Sequence, residues 1–329
     1  MKSPQISILM PVKNADQFLE ECLNSIVQQS FYDWELIAID DHSTDSSFEI
    51  LGEYQKKDGR IKVFKNQKNG IIHALRGALE RSNGSYITRM DADDIMANIK
   101  LEELIQLLLK HKKGHVATGY IKYFSTNKKL NDGYLNYEKW LNCLTAEHSN
   151  FSEIYKECVI PSPCWMISKS DLIQIGGFNT NTYPEDYDLA FRMYYGKLKV
   201  IASKNILHYW RDYPERTSRT NPVYSNNTFP KIKINYFLKN ELNRNKMLLL
   251  WGAGKKSKAI AQLLVQNEIE FSWITNNPKK IGKTIYGRKI FNCNTFEVPE
   301  NSQLIIAIAS KSFQPILRLA TIKDTYRFC

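Results

Sequence analysis

Two kinds of segment take turns along the chain. ISILMPV (Ile6–Val12) is a continuous apolar run with a proline near its end, the pattern of a buried parallel strand, and QFLEECLNSIVQQ (17–29) then spaces its apolar residues for one face of a helix. WELIAID (Trp34–Asp40) reads as a second buried strand, and the Ser and Asp residues of DDHSTDSS suit a helix start before FEILGEYQKK. IKVFK (61–65), SYITRMD (85–91) and HVATGYIKYF (115–124) continue the strand series, with helices predicted in ALRGALERS (74–82) and KLEELIQLLLK (100–110). Strands alternating with helices predict an α/β fold, a mostly parallel mixed sheet flanked by helices.

The rhythm then breaks. Residues 130–162 carry aromatic side chains without a clear period and are expected to be irregular or short-helical, as a lid or acceptor-binding insert would be. PEDYDLAFRMYYG (184–196) returns to helical spacing, LKVIAS (198–203) is strand-like, HYWRDYPERTSRTNPVYSN (208–226) is rich in turn formers and charge, and FPKIKINYFLKNELNR (229–244) is helical. A fresh start follows. MLLLWGAG is a strand ending in glycines, KSKAIAQLLVQN a helix, IEFSWIT and LIIAIAS further strands, and SFQPILRLATI (312–322) another helix. This is a second, small βαβ unit, too short for a full dinucleotide fold. The expected organisation is a catalytic domain over 1–220, a helical linker over 221–245 and a Rossmann-like domain over 246–329.

Composition narrows the class. At 329 residues, 43% hydrophobic and 24% charged, the chain is an ordinary globular protein with room for two cores. Its net charge of +11 implies an anionic partner, which could be a phosphorylated substrate, acidic lipid headgroups or nucleic acid; no nucleic-acid-binding module is recognisable. Six cysteines without CxxC pairs suit reduced thiols. With no signal-peptide core and no apolar stretch near the ~20 residues of a membrane span, the expected location is cytoplasmic, with any membrane contact peripheral and at the inner face.

Open parallel sheets bind ligands beyond the carboxyl ends of their strands, which puts Pro11 to Asn14, Asp40 to Asp45 and Arg89 to Asp94 on one rim. Asp40 and Asp41 on one strand end, and Asp91, Asp93 and Asp94 on another, would repel one another unless a cation or hydrogen-bond donors sit among them. Hard divalent ions such as Mg²⁺ or Mn²⁺ bind through one or two carboxylates and fill the remaining positions with water and substrate phosphates. A plainer account is that Asp93 or Asp94 caps a helix that follows.

ISILMPVKNADQFLEECLNSIVQQSFYDWELIAIDDHSTDSS followed by NGIIHALRGALERSNGSYITRMDADDIM resembles the family 2 glycosyltransferases of the GT-A fold, over roughly the first two-thirds of the chain. The resemblance implies a nucleotide-diphosphate-sugar donor, a divalent metal and transfer with inversion to a glycan or lipid-linked hydroxyl, as in cell-surface polysaccharide synthesis. It implies that Asp41 binds the nucleobase with Asp40 supporting that loop, that Pro11, Val12 and Asn14 line the donor pocket, that Asp91 approaches the ribose, that Asp93 ligates the metal, and that Arg89 contacts phosphate. The family's ED pair after a GG(F/Y) turn is matched by GGFNTNTYPEDYDLAFR (176–192), which implies Asp186 as base and Glu185 as a neighbour orienting the acceptor. A second carboxylate so close would raise the pKa of Asp186. Asp188 reads as decoration of a helix start. HYWRDYPERTSR resembles the basic loop that closes over the donor in this family, which makes Arg211, Arg216 and Arg219 phosphate contacts; His208 reads as a packed histidine rather than a ligand.

WGAGKKSK (251–258) raises a rival, since glycines between a strand and a helix can cradle a pyrophosphate. Ser257 replaces the third glycine, and the next strand ends in Thr275 and Asn276 where a ribose-binding acid is expected. The alternatives to a glycosyltransferase are therefore a nucleotide- or NAD-binding enzyme and a non-catalytic sugar-nucleotide-binding scaffold. The sugar, the nucleobase, the acceptor and the oligomeric state are not legible.

Overall fold

The computed structural model describes residues 3–111, 113–125, 130–220, 229–308 and 317–329. They divide into two compact units, one of Met1–Ser152 with Cys158–Arg216, the other of Glu153–Glu157 with Thr217–Cys329.

The first unit holds strands β1 (Ile6–Val12), β2 (Trp34–Asp40), β3 (Ile61–Lys65), β4 (Tyr86–Arg89), β5 (Ile95–Met96), β6 (His115–Phe124), β7 (Trp165–Ser168) and β8 (Lys199–Arg211), in the sheet order β3-β2-β1-β4-β7-β6-β8-β5. β3, β2, β1 and β4 run parallel, β7 and β5 antiparallel to their neighbours, and β6 and β8 parallel to each other. Helices α1 (Asp16–Val27), α2 (Ser47–Lys57), α3 (Ile71–Arg81), α4 (Lys100–Lys110), α5 (Asp132–Ala146), α6 (Lys169–Gln174) and α7 (Glu185–Tyr195) complete it. Burial explains the apolar runs: Ile6, Ile8, Met10, Leu36 and Ala38 form one core with Leu19, Cys22, Leu23 and Ile26 of α1. Register fixes the rim, because Val12 pairs with Asp40 and Leu9 with Arg89, so the three strand ends finish along one edge. Beside β1 the backbone at Gly84 comes so near that a Cβ there would lie 2.5 Å from the Ser7 nitrogen and 2.7 Å from the Ile6 carbonyl carbon.

The structure departs from two expectations here. The stretch 130–162 contains the 15-residue helix α5, whose Asn131 cap accepts from the Gly133 N–H and whose Asn142 and Glu138 accept from the backbone of Ile121 and Tyr123 on β6. HYWR belongs to strand β8 rather than to a loop, so Arg211 is a buried strand residue.

The second unit holds α8 (Thr217–Thr220), α9 (Phe229–Asn240), β9 (Met247–Trp251), α10 (Lys255–Gln266), β10 (Ser272–Thr275), β11 (Thr284–Ile285), β12 (Arg288–Asn292), β13 (Ser302–Ile306), α11 (Leu317–Ala320) and β14 (Asp324–Arg327). Its six strands take the order β11-β12-β10-β9-β13-β14, parallel except for β11, which is a larger sheet than a single βαβ motif. That is the doubly wound order about a central first strand. Residues 153–157 join this unit: the Tyr155 ring stacks on Phe328 at 5.1 Å, and the buried Lys233 donates to the Lys156 and Phe328 carbonyls. Residues 221–226 of the expected turn-rich segment, and 312–316 of the helix expected over 312–322, lie outside the described residues.

Candidate active site

The β1 and β2 ends are held by side chains that satisfy exposed backbone. Asn14 sits at a positive φ of 48°, accepts from the Thr44 N–H at 2.8 Å and takes the Ser43 hydroxyl as acceptor for its own N–H. Asp45 accepts from the Asp16 and Ser47 N–H groups, tying together the starts of α1 and α2. Val12 is fully buried and Pro11 partly exposed beside it. Asp41 is buried and already engaged, accepting from Asn66 Nδ2 at 2.6 Å and from the Gly70 N–H at 2.8 Å, with Lys13 Nζ at 3.6 Å. Asp40, also buried, keeps one carboxylate oxygen without a hydrogen-bond partner among the described residues.

The three acids after β4 have different surroundings. Asp91 and Asp93 are partly exposed, while Asp94 is fully buried. No helix follows them directly; the next element is β5, so neither Asp93 nor Asp94 is a helix cap. Asp94 accepts from His208 Nε2 at 2.9 Å and from the Arg211 N–H at 2.8 Å. Lys100, buried at the start of α4, lies 3.4 Å from His208 Nδ1 and donates to the Pro163 carbonyl. Burial, with Lys100 beside it, pushes the His208 pKa well down, so the imidazole is neutral, accepting at Nδ1 and donating at Nε2. His208 is thus a packed histidine. Arg211 donates from Nε to the Asp93 carbonyl at 2.7 Å and from Nη2 to Glu21, its plane lying over the Phe18 and Phe124 rings. Tyr213 donates its hydroxyl to Asp93 Oδ2 at 2.9 Å. Burial first, then the like charges of Asp94 and Asp91, raise the Asp93 carboxyl to about 7; burial does the same to Asp94. Arg216, buried over the Trp210 and Tyr123 rings, pulls both back down.

Across the rim, α7 opens on three carboxylates. Glu185 is buried and ion-paired to Arg89 Nη1 at 2.9 Å; the same guanidinium donates from Nε to Asp91 at 2.8 Å. Asp188 accepts from Arg192 at 2.8 Å and from the Thr180 hydroxyl at 2.6 Å, which makes it the structural residue its sequence position suggests. Asp186 is held by the Tyr187 N–H at 2.7 Å, and burial, then Glu185, raise it to about 7 against the pull of Arg89. The turn before it is fixed by Arg76 of α3, which donates to the Phe178 and Asn179 carbonyls and to Asn181. Sequence reading names neither Arg76, Lys100 nor Tyr213. Each is a lone polar residue whose partners lie far along the chain, and only the fold reveals the pairing.

Among the described residues no three His, Cys, Asp or Glu side chains converge as a self-sufficient metal site. The donor set around Asp93 still fits a hard dication that arrives with phosphate oxygens, since such ions need one or two carboxylates and the mutually repelling Asp91, Asp93 and Asp94 gain from positive charge.

An α/β unit with a parallel half-sheet, acidic loops at its carboxyl edge and an acidic helix start facing them has the GT-A nucleotide-diphospho-sugar transferase fold. Residues 7–176, more than half of the sequence, match the family described as glycosyl transferase family 2, and the chain belongs to that family. It is 39% identical over 140 residues to an uncharacterized glycosyltransferase of Haemophilus influenzae, covering 40% of this chain and 56% of the relative. It is 30% identical over 152 residues to the GalNAc(5)-diNAcBac-PP-undecaprenol beta-1,3-glucosyltransferase of Campylobacter jejuni, covering 46% and 41%. The chain thus spans about half the length of the curated relatives it matches. Among solved structures, S. aureus TarS 1-349 in complex with UDP-GlcNAc has the same fold at a TM-score of 0.54 and 18% identity, covering 73% of this chain and 68% of that one. The mannosyltransferase PcManGT of Pyrobaculum calidifontis, in complex with GDP-Man and Mn²⁺, matches at a TM-score of 0.53 and 16% identity, covering 73% and 64%. No helix among the described residues is long and apolar enough to cross a membrane.

In the second unit, Gly252 adopts φ 122° where a Cβ would lie 2.7 Å from the Ala307 carbonyl and the Ser257 hydroxyl. Ser257 donates to that carbonyl, and Thr275 at the end of β10 accepts from the Asn277 N–H. These contacts account for the glycine and for both departures from a dinucleotide fingerprint as packing and turn geometry.

Proposed function

We propose that the protein is an inverting glycosyltransferase that moves a sugar from a nucleotide diphosphate to a glycan or lipid-linked hydroxyl in cell-surface polysaccharide synthesis, with Asp186 as general base. The observation that carries this is the fate of the carboxylates opening α7: Glu185 and Asp188 are neutralised by Arg89 and Arg192, and Asp186 has no ion-pair partner among the described residues. An uncommitted, partly exposed carboxylate with a pKa near the working pH is what proton abstraction from a sugar hydroxyl requires. Asp186 takes the hydroxyl proton as the acceptor oxygen bonds to the anomeric carbon, and the bond to the donor diphosphate breaks on the opposite face, so configuration inverts.

Pro11, Val12, Asn14, Asp40 and Asp41 form the floor for the nucleobase, Asp91 faces the ribose, and Arg211 and Arg216 supply positive charge towards the diphosphate. Asp93 would hold a Mn²⁺ or Mg²⁺ ion; when bound, that ion supplies charge neutralisation to the departing diphosphate. TarS and PcManGT, with UDP-GlcNAc in one and GDP-Man and Mn²⁺ in the other, support a donor and metal of this class. The Campylobacter relative, named for an undecaprenol-linked substrate, supports a lipid-linked acceptor met at a membrane surface. Residues 1–220 carry the transfer, and the domain beyond the 221–245 linker supports it without a nucleotide of its own. Proton NMR of the anomeric signal tests the reaction: product of opposite configuration to the donor, lost in Asp186→Asn, supports it, and retained configuration refutes it.

A further inference from the structure

Arg89 closes β4, and its side chain is almost fully buried between two acids from opposite sides of the rim. Nε reaches Asp91 Oδ1 at 2.8 Å on the loop after β4, and Nη1 reaches Glu185 Oε1 at 2.9 Å, the first residue of α7 and 96 positions away in sequence. A planar guanidinium with donors in a fixed fork sets the angle and spacing between its two partners as well as their charge, which a lysine cannot do. Glu185 and Asp186 are consecutive, and the Glu185 charge holds the Asp186 proton on unless a cation answers it.

We propose that Arg89 is the positioning residue that assigns the base, clamping Glu185 to Asp91 so that Asp186 is left as the carboxylate free to take a proton. The inference rests on Asp186 being the base and goes beyond it, giving Arg89 a task other than phosphate contact. The groups facing Asp186 are Glu185 on its own helix and Arg89 and Asp91 from the β4 end, with the Tyr187 N–H on one oxygen. Glu185 holds the Asp186 proton on; Arg89 pulls it off. Losing Arg89 therefore unmasks a like charge and removes an opposite one, both in the same direction.

The test is a carbon-13 carboxyl NMR titration of Asp-labelled protein, with the Asp186 signal assigned by its absence in Asp186→Asn. In Arg89→Gln the Asp186 midpoint should rise by about one unit or more. In Arg89→Gln/Glu185→Gln it should return towards wild type, which generic loosening would not produce. The thermal shift given by UDP with Mn²⁺ should survive in both. If Arg89→Gln does not fold, Glu185→Gln alone carries the test, and there the midpoint should fall. An unmoved Asp186 midpoint in whichever variant folds overturns the proposal, as does a UDP–Mn²⁺ shift abolished in Arg89→Gln with the midpoint unmoved, the signature of a phosphate contact. Failure of the base assignment is separately visible, because Asp186→Asn would then transfer sugar like wild type.

Discussion

Asp186 and Asp94 are both acids raised to about 7 with burial as the leading cause, yet their surroundings fit them for different work. Asp94 spends both oxygens on His208 and Arg211 and lies out of solvent, so its charge serves to join the β4 end to β8. Asp186 keeps a partly exposed carboxylate with one backbone donor. A carboxyl raised in this way is protonated below its pKa and cannot act as base there. kcat/KM should therefore rise with pH through about 7 and level off above it. Asp186→Asn should lower kcat by about 10²- to 10⁴-fold while leaving donor affinity, measured by calorimetry, close to wild type. A rate flat from pH 5 to 8 would exclude Asp186 as the titrating group. At this scale the sequence made the acids legible but not their partners. Asp41 looks like a free ligand in DDHS, whereas the fold commits it to Asn66 and the Gly70 N–H, so base recognition there would use whichever lone pairs those donors leave.

The elements were legible wherever burial imposed a period. β1 and β2 are buried almost throughout because both faces are covered, and their polar exceptions pair inside the sheet, the Ser7 hydroxyl donating to Glu35. α5 is different. Its apolar positions Tyr134, Tyr137, Leu141 and Leu144 keep helical spacing, but Asn, Asp and Gly at its start and aromatic residues only half buried dilute the stripe. Asn131 two residues before Gly133 was the available start signal. HYWR reads as loop because its charge and the following proline outweigh two large side chains, His208 and Trp210, that the sheet buries. One close contact makes a sharp prediction for the sheet. Gly84→Ala places a Cβ on backbone atoms of Ile6 and Ser7, which no rotamer change relieves, and should lower unfolding free energy by roughly 1–3 kcal/mol in urea titrations. A stability unchanged from wild type would mean that β1 and β4 separate more readily than this packing implies.

For the molecule as a whole, a net charge of +11 favours encounter with anionic donors and acidic surfaces without choosing among them. The choice comes from the site. The second unit has the doubly wound strand order and a glycine turn, yet its polar groups there are spent on each other. NADH fluorescence should accordingly be unchanged on adding the protein; enhancement that saturates would restore a working cofactor site in that unit. Its presence was legible from the renewed apolar periodicity after residue 246, but the joining of 153–157 to it was not, because Tyr155 and Lys156 carry no local mark of partners near the other end of the chain. The proposed function requires the acidic rim of the first unit to bind a nucleotide sugar through a divalent ion at Asp93. Thermal unfolding against a panel of nucleotide sugars, with and without Mn²⁺, tests it most directly, since a ligand that binds only the native state raises the midpoint. A Mn²⁺-dependent rise with at least one nucleotide sugar is expected in the wild type and none in Asp93→Ala; a rise of equal size in that variant, or no rise with any nucleotide sugar, would contradict this mode of binding.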